Sequence, residues 1–323
     1  MKKAPLVSII TINYNQTQIT NELLNSLSLL TYKSVEIIVV DNGSKHYKQQ
    51  DFHLRSNVKI IRSEQNLGFA GGNNLGIQHS NGKYLLFLNN DTEVNENFLQ
   101  PLIKILECNP KAGAVSPKIK YFQQPNLIQY AGYSKMNPFT LQARCIGNKQ
   151  NDDGSYDQLS RTHFNHGCAM MVRQNLILEL GPMPEIYFLY YEELDWCTRI
   201  KRAGYELYYQ PQSVVYHKES ISTGKNSPLK TYYLTRNRIL YFRRNIKGFM
   251  AVFTFLYLTI IAVPKGFVTL LFTFQWKHLN QFRKAIFWHL KLKPVASSSS
   301  IVKPYPQTQF EKQTTKTEQS WRY

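Results

Sequence analysis

The stretch Leu85-Leu86-Phe87-Leu88-Asn89-Asn90-Asp91-Thr92 runs an apolar segment straight into three polar, oxygen-bearing residues. Hard divalent cations take oxygen ligands, and often use one carboxylate together with substrate phosphates. In an open α/β sheet, ligands bind just past the carboxyl ends of the strands. A strand that delivers Asp91 to that edge is therefore a candidate anchor for a metal-bound diphosphate, although a plain Asn/Asp turn uses the same residues. A second group lies in Tyr190-Tyr191-Glu192-Glu193-Leu194-Asp195-Trp196, where three carboxylates fall within four residues among aromatic neighbours. Mutual repulsion and desolvation both raise a carboxylate pKa toward the range of a general base; the same residues would also complement a helix N-terminus. His217, closing the apolar run Val214-Val215-Tyr216, is a candidate second metal ligand beside Asp91.

The elements that must position these groups follow from hydrophobic spacing. Val7–Asn13, Val35–Asp41, Val58–Ile61 and Tyr84–Leu88 read as strands, β-branched or continuously apolar as expected for strands covered on both faces. Ile19–Leu30, Ala70–His79 and Asn97–Cys108 read as helices between them. This alternation predicts a mostly parallel sheet flanked by helices. Parallel strands bring Asn13-Tyr14-Asn15, Asp41-Asn42-Gly43-Ser44 and Asn89-Asn90-Asp91 to one edge, where Asp41 could accept hydrogen bonds from a ribose or base. The Gly-rich segment Asn66-Leu67-Gly68-Phe69-Ala70-Gly71-Gly72-Asn73-Asn74 opens a helix, so its backbone N–H groups could approach phosphates. Residues 121–162, polar and weakly periodic, predict a long, partly irregular connection of the kind that often helps form a binding site. A helix over Asp195–Ala203 and short strands at Glu206–Tyr209 and Val214–His217 complete the block.

The formal net charge of +18 is concentrated in the last third: residues 221–323 hold 17 Lys/Arg against 2 Asp/Glu, whereas residues 1–220 hold 22 against 19. Within that third, the apolar runs Phe249–Val263 and Phe267–Phe274 are each too short to span a bilayer and are separated by Pro264-Lys265-Gly266. Lys277–Lys293 places Leu279, Phe282, Ile286 and Leu290 on one face, the pattern of a basic amphipathic helix in a membrane interface. The expectation is a peripheral protein on the cytoplasmic inner face of the membrane, drawn to anionic lipids. Charges that flank an apolar run rather than line a polar face argue against nucleic acid as a partner. Four cysteines with no paired spacing, and a start that lacks a secretory signal, predict reduced thiols and a cytosolic setting. The division expected is 1–245 as the catalytic domain, 246–294 as membrane-associated helices and 295–323 as a disordered tail.

The ordered series Ser8-Ile9-Ile10-Thr11-Ile12-Asn13-Tyr14-Asn15, Glu36-Ile37-Ile38-Val39-Val40-Asp41-Asn42-Gly43-Ser44, Asn66 to Asn74, Leu88-Asn89-Asn90-Asp91-Thr92, Tyr191 to Arg199, Arg202-Ala203-Gly204-Tyr205 and His217 resembles the family 2 glycosyltransferases, nearest their rhamnosyltransferase-like branch. The resemblance covers about residues 6–245. It implies an α/β fold of the GT-A type, a nucleotide-diphosphate sugar donor and a divalent Mg²⁺ or Mn²⁺ on the diphosphate. It assigns donor contacts to Asn13, Asn15, Asp41, Asn42, Asn66, Gly68, Asn73, Asn89 and Asn90, and metal binding to Asp91 with His217. Asn89 stands where the family has the first aspartate of its Asp-x-Asp motif. The general base falls in the acidic cluster, with Glu193 favoured and Asp195 and Glu192 as alternates. The implied reaction is inverting transfer of a sugar, rhamnose among the candidates, to a hydroxyl of a lipid-linked glycan acceptor in cell-surface polysaccharide synthesis. A sugar nucleotidyltransferase and a catalytically degenerate membrane-bound scaffold are the competing readings.

Overall fold

The computed structural model describes residues 4–218 and 227–291; the expected tail over 295–323 and the last residues of the expected amphipathic helix lie outside them. In chain order the first elements are β1 (Val7–Asn13), α1 (Thr17–Ser28), β2 (Val35–Asn42), β3 (Val58–Ser63), α2 (Gly68–Gln78), β4 (Tyr84–Leu88), β5 (Thr92–Val94) and α3 (Leu99–Cys108). There follow β6 (Ala112–Tyr121), β7 (Gln124–Tyr130), β8 (Gln150–Asn151), β9 (Ser160–Thr162), β10 (Ala169–Arg173), α4 (Gln174–Leu180), α5 (Glu192–Arg202) and β11 (Glu206–His217). The described C-terminal part is helical: α6 (Pro228–Asn245), α7 (Phe249–Leu256), α8 (Val263–Phe272) and α9 (Trp276–Lys291).

One sheet runs in the order β3-β2-β1-β4-β10-β6-β11-β5. Its first four strands are parallel, as the alternation of strands and helices predicts. Beyond β4 the sheet is mixed, because β10 enters antiparallel between β4 and β6 while β11 runs parallel to β6. Side chains alternate across a strand, and both sets here are apolar. Val7, Ile9, Ile37, Val39, Leu86 and Leu88 pack with Leu23 and Leu27 of α1 and Leu99 and Leu102 of α3. Ile10, Ile38, Val40, Leu85 and Phe87 pack with Ala70 and Ile77 of α2, Leu176 of α4 and Trp196 of α5. Each such side chain contributes about 1.5–3 kcal/mol when fully buried, so the central strands are the rigid part to which the polar strand ends are attached.

Residues 121–162 are partly irregular, as expected: β7 pairs antiparallel with β6, and β8 and β9 add short pairings. Two expectations change. The two short strands near the end of the catalytic block are one strand, β11, whose register against β6 shifts between Gln210 and Val214. Pro264-Lys265-Gly266 does not interrupt the apolar region. Pro264, which has no N–H to donate, directly follows a π-helical turn at Tyr257–Ala262 that joins α7 to α8, so the ladder is already altered where it enters. The result is a helix over Phe249–Phe272, 24 residues, long and apolar enough by length and composition to cross a membrane. Phe249, Phe255, Ile260 and Phe272 are exposed along it.

The amphipathic helix also docks differently. Leu279, Phe282 and Ala285 of α9 are buried, and α9 is tied to α6 by Thr231–His278 and Arg243–His289 hydrogen bonds. Its apolar face therefore meets protein rather than lipid, while Trp276, Phe287 and Leu290 remain exposed.

The glycines of α2 serve close packing. A Cβ on Gly76 would collide with Ile10 Cγ2 on β1. Overpacking costs about 1–3 kcal/mol, against a gain in helix propensity of about 1 kcal/mol for Gly→Ala. Gly76→Ala is therefore expected to leave the fold intact but lower its stability by about 1–2 kcal/mol, measured as a reduced midpoint in urea unfolding.

Candidate active site

The polar ends of β1, β2 and β4 are joined by a buried hydrogen-bond relay. In the parallel register Asn13 lies opposite Asp41, and Asn13 Nδ2 donates to Asp41 Oδ2 at 2.8 Å. Asp41 Oδ1 accepts from the Ser44 amide at 3.1 Å. Asn13 Oδ1 accepts from the Thr20 hydroxyl at 2.9 Å, and Thr20 Oγ1 accepts from Asn90 Nδ2 at 3.1 Å. Thr20, on α1, carries no recognisable sequence signal, yet it links the second strand end to the fourth. Asn15 closes the same corner, with its amide on Ser44 Oγ and its side chain accepting from the Lys45 amide. Asn89 is partly exposed and, among the described residues, its side chain makes no recorded hydrogen bond.

The Gly-rich segment is used otherwise than its sequence suggests. Gly68 N donates to Asn66 Oδ1 and Phe69 N donates to Phe188 O, so these amides are spent within the protein rather than offered to phosphate. Asn42 bridges to Asn66 and to Gly68 O, and Asn73 donates to Phe69 O. Gly68 has φ +73°, and a Cβ there would overlap the Phe188 carbonyl. Asn42, Asn66, Gly68 and Asn73 thus hold the start of α2 against the loop that precedes α5.

Asp91 and His217, 126 positions apart in the chain, meet because β5 and β11 pair antiparallel with His217 opposite Thr92. His217 Nε2 lies 3.1 Å from Asp91 Oδ1, and Nδ1 lies 2.8 Å from Gln129 Oε1. An amide oxygen only accepts, so Nδ1 carries a proton. A neutral ring would then turn the Nε2 lone pair toward a carboxylate. Positive charge belongs at that junction, supplied by a proton or a cation. Burial opposes a charged His217, yet the Cys168 sulfur and the Asp91 carboxylate raise its pKa well above the usual imidazole value. One carboxylate and one imidazole whose other nitrogen is held by a carbonyl are a donor set that fits Mn²⁺ or Mg²⁺. The described residues contain no cluster of three His, Cys, Asp or Glu, so further ligands would be substrate oxygens or water.

The acidic cluster is presented by a strained turn. Phe188, Tyr190 and Tyr191 all adopt positive φ, at 63°, 68° and 75°, a region costly for non-glycine residues. Asn237 of α6 is fully buried and donates to the carbonyls of Tyr187, Leu189 and Tyr190, while Arg236 donates to Ile186 and Tyr187. The three carboxylates then separate by environment. Asp195 is buried and accepts from Tyr187 Oη at 2.9 Å, Arg244 Nε at 2.8 Å and Asn245 Nδ2 at 2.9 Å. That oxygen is fully engaged, which places Asp195 in the core as an anchor for the end of α6 rather than at the open site. Glu192 is also buried, and burial with the neighbouring Glu193 charge raises its pKa well above the usual range. Glu193 alone of the three lines an open groove of about 820 Å³, with Tyr133, Arg144, Tyr190 and Tyr191 among its walls. Burial pushes its carboxyl up to about 7, and its Oε2 has no hydrogen-bond partner. Gly167 packs against Glu193, and the adjacent Cys168 carbonyl accepts from the Asn89 amide at 2.8 Å. The connection before β10 therefore spans from Glu193 to the Asn89-Asn90-Asp91 corner.

The fold resembles those of GalNAc-T7 with UDP, GalNAc and Mn²⁺ (TM-score 0.60, 17% identity, 73% of this chain and 48% of that one) and the mannosyltransferase PcManGT of Pyrobaculum calidifontis with GDP-Man and Mn²⁺ (TM-score 0.54, 15% identity, 99% and 81%). Together with the strand-end site, this defines a nucleotide-sugar transferase fold of the GT-A type. Residues 8–181 match the family described as Glycosyl transferase family 2, and the chain belongs to that family. It is 28% identical over 239 residues to the low-salt glycan biosynthesis hexosyltransferase Agl10 of Haloferax volcanii, covering 72% of this chain and 74% of that protein. It is 24% identical over 246 residues to the N-acetylglucosaminyl-diphospho-decaprenol L-rhamnosyltransferase of Mycobacterium tuberculosis, covering 68% and 78%. The chain is a glycosyltransferase, and the nucleotidyltransferase reading is set aside.

The raised Glu193 pKa has a stability consequence. Between about 4.3, the unfolded value, and about 7 in the fold, the folded state retains a proton that the unfolded state has lost. Stability therefore falls as pH rises through that window. Glu193→Gln removes the penalty, so its melting temperature is expected to exceed the parent's by more at pH 8 than at pH 5 in paired thermal scans. An equal difference at both pH values would show that Glu193 ionises normally.

Proposed function

We propose that this glycosyltransferase moves a hexose or deoxyhexose, with rhamnose a leading candidate, from a nucleotide-diphosphate donor to a hydroxyl of a lipid-linked glycan, with inversion. The observation that carries the reading is Glu193: one carboxylate facing an open groove, with an orphaned oxygen and a pKa near 7. The Asn13, Asn15 and Asp41 corner receives the nucleoside, and Asn89 and Asn90 stand beside the diphosphate. Asp91 and His217 would hold Mn²⁺ or Mg²⁺, which when bound offsets charge on the departing diphosphate. Glu193 takes the proton of the acceptor hydroxyl. The acceptor oxygen bonds to the anomeric carbon as the bond to the diphosphate oxygen breaks, and the electron pair leaves with the nucleoside diphosphate. Among the described residues no second carboxylate lines the groove to serve a covalent double displacement.

The lipid-linked acceptor is supported by the exposed apolar helix Phe249–Phe272 and by the relative that acts on a diphospho-decaprenol substrate. Both fit a cytoplasmic enzyme held at the inner face of the membrane.

Three measurements test this. In a thermal-shift screen, one nucleotide-diphosphate sugar is expected to raise the melting temperature only with Mn²⁺, and Asp91→Ala to abolish that dependence. With this donor, turnover should fall tenfold per pH unit below about 7, and Glu193→Gln should lose at least 100-fold in rate while still showing the donor-induced shift. Full donor hydrolysis or transfer by Glu193→Gln would end the assignment of the base. In flotation with anionic liposomes, the intact chain should rise with the vesicles. Replacing Phe255, Ile260, Ile261 and Val268 by Ser should leave it in the pellet fraction, and equal flotation would refute the membrane role of this helix.

A further inference from the structure

A second cavity of about 260 Å³ opens beside the Glu193 groove and shares Gln142, Tyr191 and Leu234 with it. It leads away from the carboxylate, between α6 and the apolar helix, and ends at Leu258, Ala262 and Val263. The wall it meets is the π-helical turn Tyr257–Ala262, a local widening often found at functional sites. Past this wall the same helix exposes Phe255, Ile260 and Ile261. The groove and the cavity thus adjoin along one path from the proposed base to the inner wall of the apolar helix.

The path is positively charged where it is polar. Arg238 lines the inner cavity, and Lys135 and Arg144 line the groove, while Glu193 is the one carboxylate on either. Among the described residues none of these three cations is in an ion pair. Arg238 donates through Nη2 to the Thr140 carbonyl, but its Nε is buried without a partner. A guanidinium with spare donors in a fixed fork is suited to phosphate oxygens. By contrast Arg236 and Arg244, on the same helix, spend their donors on backbone carbonyls and on Asp195.

We infer that this inner cavity is the subsite for the acceptor's lipid diphosphate. Arg238 grips the diphosphate of a long-chain isoprenoid alcohol, and the slot formed by Leu234, Ile239, Leu258, Ala262 and Val263 takes the first carbons of its chain. The glycan end then lies in the 820 Å³ groove at Glu193, and the rest of the chain follows the apolar helix into the bilayer. The inference rests on the reading of Glu193 as the base of transfer to a lipid-linked acceptor.

The test uses the full chain in detergent micelles with EDTA present, so that diphosphate cannot be recruited through a cation at Asp91. Binding of farnesyl diphosphate, farnesol and inorganic pyrophosphate is measured by competition against a photoreactive farnesyl diphosphate. Farnesyl diphosphate is expected to bind at least tenfold tighter than either fragment, with label mapped to 234–239 and 257–263. Arg238→Gln should weaken it at least tenfold, to the level of farnesol. Val263→Trp, which fills the slot, should weaken it similarly and leave pyrophosphate unchanged. Wild-type affinity in both variants, or pyrophosphate binding as tightly as farnesyl diphosphate, overturns the inference. Transfer rates of the parent and of Glu193→Gln, measured without EDTA, separate the two claims. A loss of at least 100-fold in Glu193→Gln without farnesyl diphosphate binding defeats this subsite alone, and farnesyl diphosphate binding with full transfer by Glu193→Gln defeats the reading of Glu193 instead.

Discussion

The site depends on the hold that Asn237 keeps on the turn before α5. One buried amide reaches three carbonyls across Tyr187–Tyr190, and three residues of that turn sit at positive φ without being glycine. Left-handed backbone at such residues costs about 1–3 kcal/mol each, so the turn exists only because α6 over-determines it. Relaxation toward ordinary backbone would rotate the start of α5 and exchange which of Glu192, Glu193 and Asp195 faces the groove. The distinct settings of these carboxylates, Glu192 buried beside Glu193, Glu193 lining the groove and Asp195 ion-paired, follow from this one constraint. Their sequence order does not dictate them.

Much of the framework was legible because two periodicities agree. The central strands are mostly apolar until their polar ends, and helices of the right length lie between them, so the parallel half-sheet and the shared edge of Asn13, Asp41 and Asp91 follow from spacing. The antiparallel insertion of β10 was not legible, since a short apolar strand carries no mark of its direction. The juxtaposition of Asp91 with His217 was expected as a ligand pair, but its cause, the pairing of the three-residue β5 with the end of β11, is too short to leave a pattern.

The residues that sequence reasoning missed are mostly on α6. Two Arg-Asn pairs, Arg236-Asn237 and Arg244-Asn245, stand two helical turns apart and both turn inward. Read as part of a basic C-terminal block, they were indistinguishable from lipid-facing charge. The repeat itself was the available signal. The glycines of α2 misled in the opposite direction: a pattern that suggests a phosphate cradle is explained by helix-to-sheet contact at Gly72 and Gly76 and by the close approach of Phe188 at Gly68.

The ion pair between Asp195 and Arg244 reaches from the first turn of α5 to the last turn of α6, immediately before the apolar helix begins. Removing one partner of a buried pair strands the other charge, at about 3–5 kcal/mol. The helix that completes the catalytic half is thus covalently continuous with the one suited to lipid. A foreign segment joined after Asn245 would keep both α6 partners of Asp195, whereas one joined before Arg244 would remove Arg244 and Asn245 together.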